Sequence, residues 1–337
     1  MDNKISVIVL TFNQEDTIGR TLDSILMQRC HVPYEIVIGE DCSTDGTLDI
    51  CRQYEQKHPN IIRLFANKEN KGVVDNYFDC IMESRGQYIA DCAGDDFWTD
   101  PLKLEKEVSI LENNPNVTLV HTNWESYNEQ DKSSHASPDK PFTAPITQGY
   151  QMIEAIITQR KVPVIQLCTS LYRSSIILKA LSEEEKSFRD KSFGCEDLQV
   201  AALMAAHGDI AYIPDVTLNY SERRETVSYS LDHHKQFCFV KRITYQSFLI
   251  AQHYHISSPV TDRFFSQRVF ELGMFAFRAH DRQMLAETFQ CEKDWRATRA
   301  TKTRWLFTVM RHEVLWRTGL IVRQVFVKIK QLHRQLV

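Results

Sequence analysis

Four largely apolar segments alternate with amphipathic segments between residues 5 and 94. The apolar segments read ISVIVLTF, YEIVIGED, NIIRLFAN and YIADCAG, and each is nearly continuous rather than alternating apolar with polar residues. Nearly continuous apolar segments of this length are typical of strands that are buried on both faces of a sheet. Since strands separated by helices pair in parallel through right-handed crossovers, the sequence predicts an α/β fold.

The pattern changes near residue 230. Strand and helix patterns alternate up to that point, and only helical patterns follow residue 232. Residues 128 to 148 are polar and contain prolines, which predicts a long surface loop. In the segment WTDPLKLEKEV, Asp100 is expected to cap a helix and Pro101 to occupy its first position. The sequence therefore predicts one domain over residues 1–230 and a helical C-terminal region over residues 231–337.

Composition narrows the environment of the protein. The nine cysteines are scattered and include no CxxC pair, which argues against a disulfide framework and against a zinc site. No segment reaches the roughly 18 uncharged apolar residues that a membrane span requires. The N-terminus lacks a basic region ahead of its apolar run, so it is predicted to be the first strand rather than a signal peptide. We therefore expect a cytoplasmic protein.

Residues 301 to 337 form a basic segment on an otherwise acidic chain. They contain eight lysines or arginines against the single acid Glu313, a net charge of +7, whereas the whole chain carries −4. Five apolar residues share one helical stripe: Ile321, Val325, Ile329, Leu332 and Leu336. This pattern predicts a helix in an anionic surface at the inner face of the cell membrane, with Trp305 and Trp316 at headgroup level. The alternative is a helix packed on the protein or on a second subunit of a homo-oligomer.

Three pairs of acidic residues lie where a predicted strand ends or a helix begins. The pairs are Glu40 with Asp41, Asp95 with Asp96, and Glu196 with Asp197. Ligands of open α/β sheets bind beyond the carboxyl ends of the strands, so these acids are candidates for a binding cleft. A single acid in such a position is often only a helix cap, but three pairs in one chain favour a polar cleft.

A nucleotide is a plausible ligand for this kind of sheet, yet the glycine-rich phosphate motifs GxGxxG and GxxxxGK are both absent. Without a backbone cradle, another group must neutralise the charge of a diphosphate. Mg²⁺ or Mn²⁺ held by carboxylates and phosphate oxygens meets this need. The adjacent Asp95 and Asp96 are therefore predicted to hold a divalent cation.

The order and spacing of six segments resemble those of family 2 glycosyltransferases, which are inverting enzymes of the GT-A fold. The segments are ISVIVLTFNQEDTIGRTLDSIL, YEIVIGEDCSTDGT, NKGVVDNY, GQYIADCAGDDFW, DPLKLEKEV and FGCEDLQVAALMAAHG, and they extend over roughly residues 4 to 230. The resemblance implies a mixed, mainly parallel sheet flanked by helices, of the Rossmann-like kind found in nucleotide-diphospho-sugar transferases. It also implies a nucleotide-sugar-binding half at residues 1–100 and an acceptor half, with the catalytic base, at residues 101–230.

The resemblance implies a set of donor-binding residues. They are Thr11, Phe12, Glu15, Glu40, Asp41, Asn70, Lys71, Gly72, Asp95 and Arg223. The first three correspond to the segment after the first strand that contacts the base and ribose in the family. The acids after the second strand correspond to a contact with uracil or ribose, and the Asn-Lys-Gly turn corresponds to a turn that lies near the base.

The resemblance also implies roles for the other two acidic pairs. Asp95 corresponds to the last acid of the family's DxD metal motif, and Asp96 to the acid that commonly follows it. Asp197 corresponds to the catalytic base, which takes a proton from the acceptor hydroxyl as that oxygen attacks the sugar, and Glu196 is its neighbour. The alternative for Asp197 is a cap of the helix that follows.

Two positions depart from the family's pattern. The first acid of the DxD motif is replaced by Ala93, and Asp91 is expected to face the other way or to be satisfied by its neighbours. Arg223 stands where relatives often have a histidine. Its guanidinium group can clamp a diphosphate, although an arginine on a surface loop can also be simply solvated.

These features together predict a glycosyltransferase that moves one sugar from a nucleotide sugar, with UDP as the expected nucleotide, to a hydroxyl of a glycan or lipid-linked acceptor. The expected process is bacterial cell-surface polysaccharide or glycoconjugate synthesis, and the expected cofactor is Mn²⁺ or Mg²⁺. No QxxRW-like segment of processive synthases is present, which favours single transfer. Nucleic acid is not an expected partner.

Two alternatives to this function stay open at the level of the sequence. A sugar-nucleotide-binding or assembly protein on a catalytically decayed fold is motivated by Ala93 in place of the first metal-binding acid. A nucleotidyltransferase shares the metal and the fold. It would normally have a glycine-rich phosphate loop near the N-terminus, where this chain has TFNQED.

Overall fold

A computed structural model of the chain describes residues 4–136, 145–159, 165–190, 192–222 and 232–335. The chain divides into two compact units, Met1–Arg223 and Arg224–Val337. The described residues of the first unit contain the sheet, and those of the second unit form helices. None of the helices in the described part of the chain is long and apolar enough to cross a bilayer.

A mixed sheet of ten strands forms the centre of the described part of the first unit. The strands are β1 (Ile5–Thr11), β2 (Tyr34–Glu40), β3 (Ile62–Ala66), β4 (Tyr88–Ala93), β5 (Phe97–Trp98), β6 (Val117–Asn128), β7 (Ser134–Ala136), β8 (Ile146–Thr147), β9 (Ser170–Arg173) and β10 (Asp209–Glu222). Their order is β3-β2-β1-β4-β9-β6-β10-β5, with β7 added to β6 and β8 to β10. Parallel pairing joins β3, β2, β1 and β4, and also β6 and β10, while β9 runs antiparallel between β4 and β6. The predicted fold class is confirmed.

Helices pack on both faces of this sheet. They are α1 (Ile18–Leu26), α2 (Thr47–Lys57), α3 (Val73–Glu83), α4 (Lys103–Asn113), α5 (Ile153–Thr158), α6 (Ser174–Phe188) and α7 (Asp197–His207). On one face, α1 and α4 share a core with Val7 and Val9 of β1. On the other face, Gly39 of β2 lies against α3, because a Cβ at this position would meet Cys80 Sγ at 2.6 Å.

The strand register brings three strand ends to one edge of the sheet. Thr11 at the end of β1 lies beside Glu40 at the end of β2, and Leu10 lies beside Ala93 at the end of β4. Backbone hydrogen bonds continue this alignment past the strands, from Asp41 N to Thr11 O at 3.0 Å and from Gly94 N to Leu10 O at 2.9 Å. Acids that are far apart in the sequence therefore converge at this edge.

Two local predictions were wrong. The helix α4 begins at Lys103 rather than at Pro101, because Asp100 and Pro101 form a turn in which Asp100 Oδ1 accepts a hydrogen bond from Leu102 N at 2.8 Å. The polar segment 128–148 is not a simple surface loop, since β7 pairs with β6 and β8 pairs with β10. Residues 137–144 of this segment lie outside the described residues.

The second unit contains the helices α8 (His233–His253), α9 (Pro259–Ala279), α10 (Arg282–Asp294), α11 (Thr301–Arg311) and α12 (Glu313–Gln335). Both α8 and α10 pack against α9, and α12 is attached to α9 through Trp316. The indole of Trp316 is fully buried, and its Nε1 donates to Phe277 O at 2.9 Å. The prediction that Trp316 lies at lipid headgroup level was therefore wrong, because this side chain holds α12 against the protein.

Candidate active site

The loops that follow β1 and β2 are joined at the converging edge. Asn13 N donates to Ser43 Oγ at 3.0 Å, and Asn13 Oδ1 accepts from Thr44 N at 2.8 Å. Glu15 Oε2 accepts from Gly46 N at 2.7 Å, so this predicted donor-binding side chain also holds the second loop in place. Phe12, by contrast, exposes 43% of its surface at the same edge. An exposed aromatic ring beside a polar cleft offers a flat surface on which a base can stack.

Asp41 organises the turn that contains three other predicted donor-binding residues. Its Oδ1 accepts from Lys71 N and its Oδ2 accepts from Gly72 N, each at 2.9 Å, while Asn70 Nδ2 donates to Asp41 O at 3.2 Å. Gly72 has a φ of +83°, a backbone conformation that L side chains rarely adopt, which explains a glycine at the start of α3. The structure thus brings Asp41, Asn70, Lys71 and Gly72 together, with the Asp41 carboxylate engaged by the turn.

Glu40 and Thr11 lie deeper at the same edge. Glu40 is fully buried, and its Oε1 accepts from Ser43 N at 2.7 Å in the loop that follows β2. Thr11 is also buried, and its hydroxyl lies against Gly94. A Cβ at Gly94 would meet Thr11 Cβ at 2.9 Å, so glycine lets the turn after β4 approach the end of β1 this closely.

Asp95 and Asp96 lie in the turn between β4 and β5. Hydrogen bonds from two other elements, α1 and β10, hold this turn in place. Thr21 Oγ1 of α1 donates to Asp96 O at 2.6 Å, and Ser221 of β10 contributes two bonds. Ser221 N donates to Asp96 Oδ1 at 2.9 Å, and Ser221 Oγ donates to Asp95 O at 2.6 Å. This arrangement buries Asp96 and leaves Asp95 half-buried.

The second carboxylate oxygen of Asp96 is buried and has no hydrogen-bond partner among the described residues. Burial, and then the charge of the adjacent Asp95, raise the pKa of Asp96 to about 8. A buried carboxyl group with an unsatisfied oxygen next to a second acid is costly unless a proton or a cation compensates it. The geometry of this pair therefore fits a divalent cation that prefers oxygen ligands.

Arg20 connects this turn to the sheet, and it is not among the site residues predicted from the sequence. Its Nη2 donates to Asp95 O at 3.1 Å, to Ser221 Oγ at 3.2 Å and to Glu129 Oε1 at 2.5 Å. The guanidinium group lies 4.2 Å from the centre of the Phe97 ring. Burial alone would raise the pKa of Glu129, but the hydrogen bond from Arg20 outweighs this effect and lowers the pKa to about 2. We name the residues Arg20, Glu129 and Ser221 the clasp.

Glu196 and Asp197 lie at the start of α7. Glu196 occupies the position before the helix but makes no side-chain capping bond. Both residues are half-buried, and burial raises the pKa of each carboxyl group. For Asp197, the charges of Glu196, Asp91 and Asp96 raise the pKa further. Asp197 thus interacts electrostatically with Asp96 as well as with its neighbour Glu196, which a simple capping role would not require.

Asp91 lies in β4 and is almost fully buried. Because strand side chains alternate, Asp91 faces the same side of the sheet as Ala93, so the expectation that it faces the other way was wrong. Burial raises the pKa of Asp91 well above its usual range. Hydrogen bonds from the Tyr172 and Tyr77 hydroxyl groups lower this pKa, and the charge of Glu196 raises it. Asp91 is therefore a buried acid that interacts electrostatically with Glu196 and Asp197. Arg223, the remaining predicted site residue, lies outside the described residues.

A mixed sheet with acids at converging strand ends is the architecture of GT-A transferases. The chain belongs to glycosyl transferase family 2, because the model of that family matches residues 6–180, just over half of the chain. A protein of Bacillus subtilis named "Putative teichuronic acid biosynthesis glycosyltransferase TuaG" is 36% identical over 107 residues, 32% of this chain and 41% of TuaG. The chain spans about half, or less, of the length of the curated relatives that it matches.

Solved structures support the same fold. TarS 1–349 of S. aureus, in complex with UDP-GlcNAc, is similar with a TM-score of 0.54 at 16% identity, over 87% of this chain and 91% of that chain. The mannosyltransferase PcManGT from Pyrobaculum calidifontis, in complex with GDP-Man and Mn²⁺, is similar with a TM-score of 0.54 at 17% identity, over 97% of this chain and 86% of that chain. At such low sequence identity, these structural similarities show a shared fold and nothing more.

The clasp generates a prediction about the turn that carries Asp95 and Asp96. Arg20→Lys keeps the positive charge but loses the planar fork that bonds several oxygens at once. We expect amide hydrogen exchange in residues 94–98 to become about tenfold faster, as the loss of one net hydrogen bond implies. The control is Arg52→Lys on the exposed face of α2, where the arginine contacts only Asp49 among its described ionic partners. Equal exchange in the two variants would show that the clasp does not hold the turn.

Proposed function

We propose that this chain transfers one sugar from a nucleotide-sugar donor, most simply a UDP-sugar, to an acceptor hydroxyl with inversion at the anomeric carbon. The observation that carries the proposal is the convergence at one sheet edge of the β1 and β2 loops with the turn of Asp95 and Asp96. The charge of Asp96 is also among the charges that raise the pKa of Asp197. Membership of glycosyl transferase family 2 and the nucleotide sugars named with TarS and PcManGT support it. The teichuronic acid pathway named for TuaG supports a role in cell-surface polysaccharide or glycoconjugate synthesis.

The donor would lie along the edge formed by the loops after β1 and β2. Phe12 offers an exposed ring for the base, and the turn held by Asp41 offers polar groups of Asn70 and Lys71 beside it. Because Asp41 is engaged by that turn, we assign it mainly to positioning the base-binding residues. Thr11, Glu15 and Glu40 would shape the floor of the same site, since Thr11 and Glu40 are buried and Glu15 holds a loop.

The diphosphate of the donor would lie above Asp95 and Asp96. These residues fit a divalent cation, because they offer hard oxygen ligands and one buried oxygen of Asp96 has no hydrogen-bond partner among the described residues. Such a cation, Mn²⁺ or Mg²⁺, supplies positive charge against a departing nucleoside diphosphate. In the absence of an acid at position 93, both aspartates are needed for this role. Arg223, which can pair with phosphate, is a further proposed contact.

Asp197 is the proposed general base. Its carboxylate would accept the proton of the acceptor hydroxyl while that oxygen forms a bond to the anomeric carbon and the bond to the diphosphate breaks. Its raised pKa makes it a stronger base than an exposed aspartate, because a carboxylate that binds a proton more tightly accepts one more readily. Glu196 supports this role by adding negative charge beside Asp197.

Asp197→Asn tests the assignment of the base. The amide keeps the size of the side chain but cannot accept a proton, so we expect transfer to fall by about a hundredfold or more. Binding of the nucleotide sugar, measured by calorimetry with Mn²⁺, should change little, because the residues proposed for the donor are intact. The matched control is Asp215→Asn, which alters an exposed aspartate of the same unit. Transfer at the wild-type rate by Asp197→Asn would exclude this residue as the base.

The raised pKa of Asp96 generates a prediction about pH. Below about pH 8 a proton occupies this buried carboxyl group, so a cation has to displace it. The affinity for Mn²⁺ should therefore rise with pH, by up to about a hundredfold between pH 6 and pH 8. Calorimetric titration of the full chain with Mn²⁺ alone checks this directly, without any assay of activity.

The control for the pH prediction is Asp96→Asn, which removes the titrating group. This variant should bind Mn²⁺ more weakly and with little dependence on pH. A wild-type affinity that stays the same between these pH values would contradict the proposed involvement of Asp96.

A further inference from the structure

The helix α12 carries apolar residues on two different sides. One side is packed against α9, where Trp316 is fully buried and a Cβ at Gly319 would meet the Phe277 ring at 3.0 Å. Among the side chains of α12 that the structure describes, five apolar ones are nevertheless exposed: Val314, Leu315, Ile321, Val322 and Val325. We name these five residues the α12 stripe. A surface helix ordinarily needs only one apolar side, so the exposed side requires an explanation of its own.

Helical geometry places the α12 stripe on a single side. Ile321 follows Val314 by seven residues and Val325 follows Ile321 by four, and such spacings return to the same side of a helix. Leu315 and Val322 are also seven residues apart, and each directly follows one of these residues in the sequence. The exposures are large, at 76% for Val314 and 61% for Ile321. Trp305, on the preceding helix α11, is 69% exposed as well. Contiguous apolar surface of this kind usually marks a site of interaction with another molecule or a membrane.

The charges around the α12 stripe identify the kind of partner. Arg311, Arg317 and Arg323 belong to the same segment, in which residues 301–337 carry a net charge of +7. The single acid, Glu313, is already engaged by Arg282 and Arg317 at 2.7 Å each. A surface that combines exposed apolar side chains with unbalanced positive charge complements an anionic lipid surface.

A second copy of the chain is a poorer match for the same surface. Pairing two α12 stripes would bring two segments of charge +7 together. Like charges at close range oppose association, whereas an anionic bilayer neutralises the same arginines and lysines.

We propose that the α12 stripe inserts into the interface of an anionic lipid bilayer, with α12 lying along the surface. Trp305 adds an exposed ring of the type that settles at headgroup level. The buried Trp316 keeps α12 attached to its own unit, so that the whole chain is carried to the surface. This inference does not depend on the catalytic assignment, since none of its residues belongs to the candidate active site.

Vesicle flotation with the full chain tests the proposal. Wild-type protein should float with vesicles of equal parts phosphatidylcholine and phosphatidylglycerol, and much less with phosphatidylcholine alone. Added salt should weaken the binding, because it screens the charges. The variant Ile321→Glu/Val325→Glu places two acids in the α12 stripe and should reduce binding by about tenfold or more.

The matched control is Met82→Glu, which alters an exposed methionine of α3 in the first unit and should leave flotation unchanged. Circular dichroism of both variants verifies that the helices are intact. Equal flotation of the wild type and the double variant, or no flotation of the wild type, would overturn the proposal. A wild-type dimer that the double variant converts to a monomer in light scattering, without vesicle binding, would overturn it in favour of a second copy.

Discussion

The burial of Asp96 is the constraint on which the candidate active site depends. A buried carboxyl group is unfavourable unless other groups compensate it, and residues of two elements, α1 and β10, contribute to this compensation. Ser221 of β10 donates its backbone N–H to Asp96, Thr21 of α1 donates to the backbone of Asp96, and Arg20 holds the preceding peptide group. The oxygen that stays unsatisfied among the described residues is where a cation would bind. The same turn therefore lowers the stability of the unliganded protein and provides the oxygen ligands of the proposed cation site.

Much of the fold could be predicted because its signals are local. The strands β1, β2 and β4 are nearly continuous apolar segments of the sequence, as the four apolar segments predicted. The clasp could not be predicted, since Arg20 and Ser221 are 201 positions apart and meet only because β10 pairs alongside β6. The role of Asp41 could be predicted only in part, because no local pattern in the sequence shows that its carboxylate binds the backbone of Lys71 and Gly72.

The second unit shows a different limit of sequence reasoning. A helical pattern reveals that α12 is apolar and basic, but it does not reveal which apolar residues face the protein. Trp316 was expected to be exposed and is buried, whereas Val314 and Leu315 are exposed. Packing against α9 decides between these outcomes, and that contact joins residues 39 positions apart.

Asp95, Asp96 and Asp197 are proposed to form a metal-assisted transferase site. The most direct measurement is the release of nucleoside diphosphate from a panel of UDP- and GDP-sugars by the wild-type chain, with Mn²⁺ and after its removal with EDTA. We expect release from at least one donor, loss of that release with EDTA, and its recovery when Mn²⁺ is restored. Donor binding without release from any sugar, or release that EDTA does not affect, would contradict this proposal.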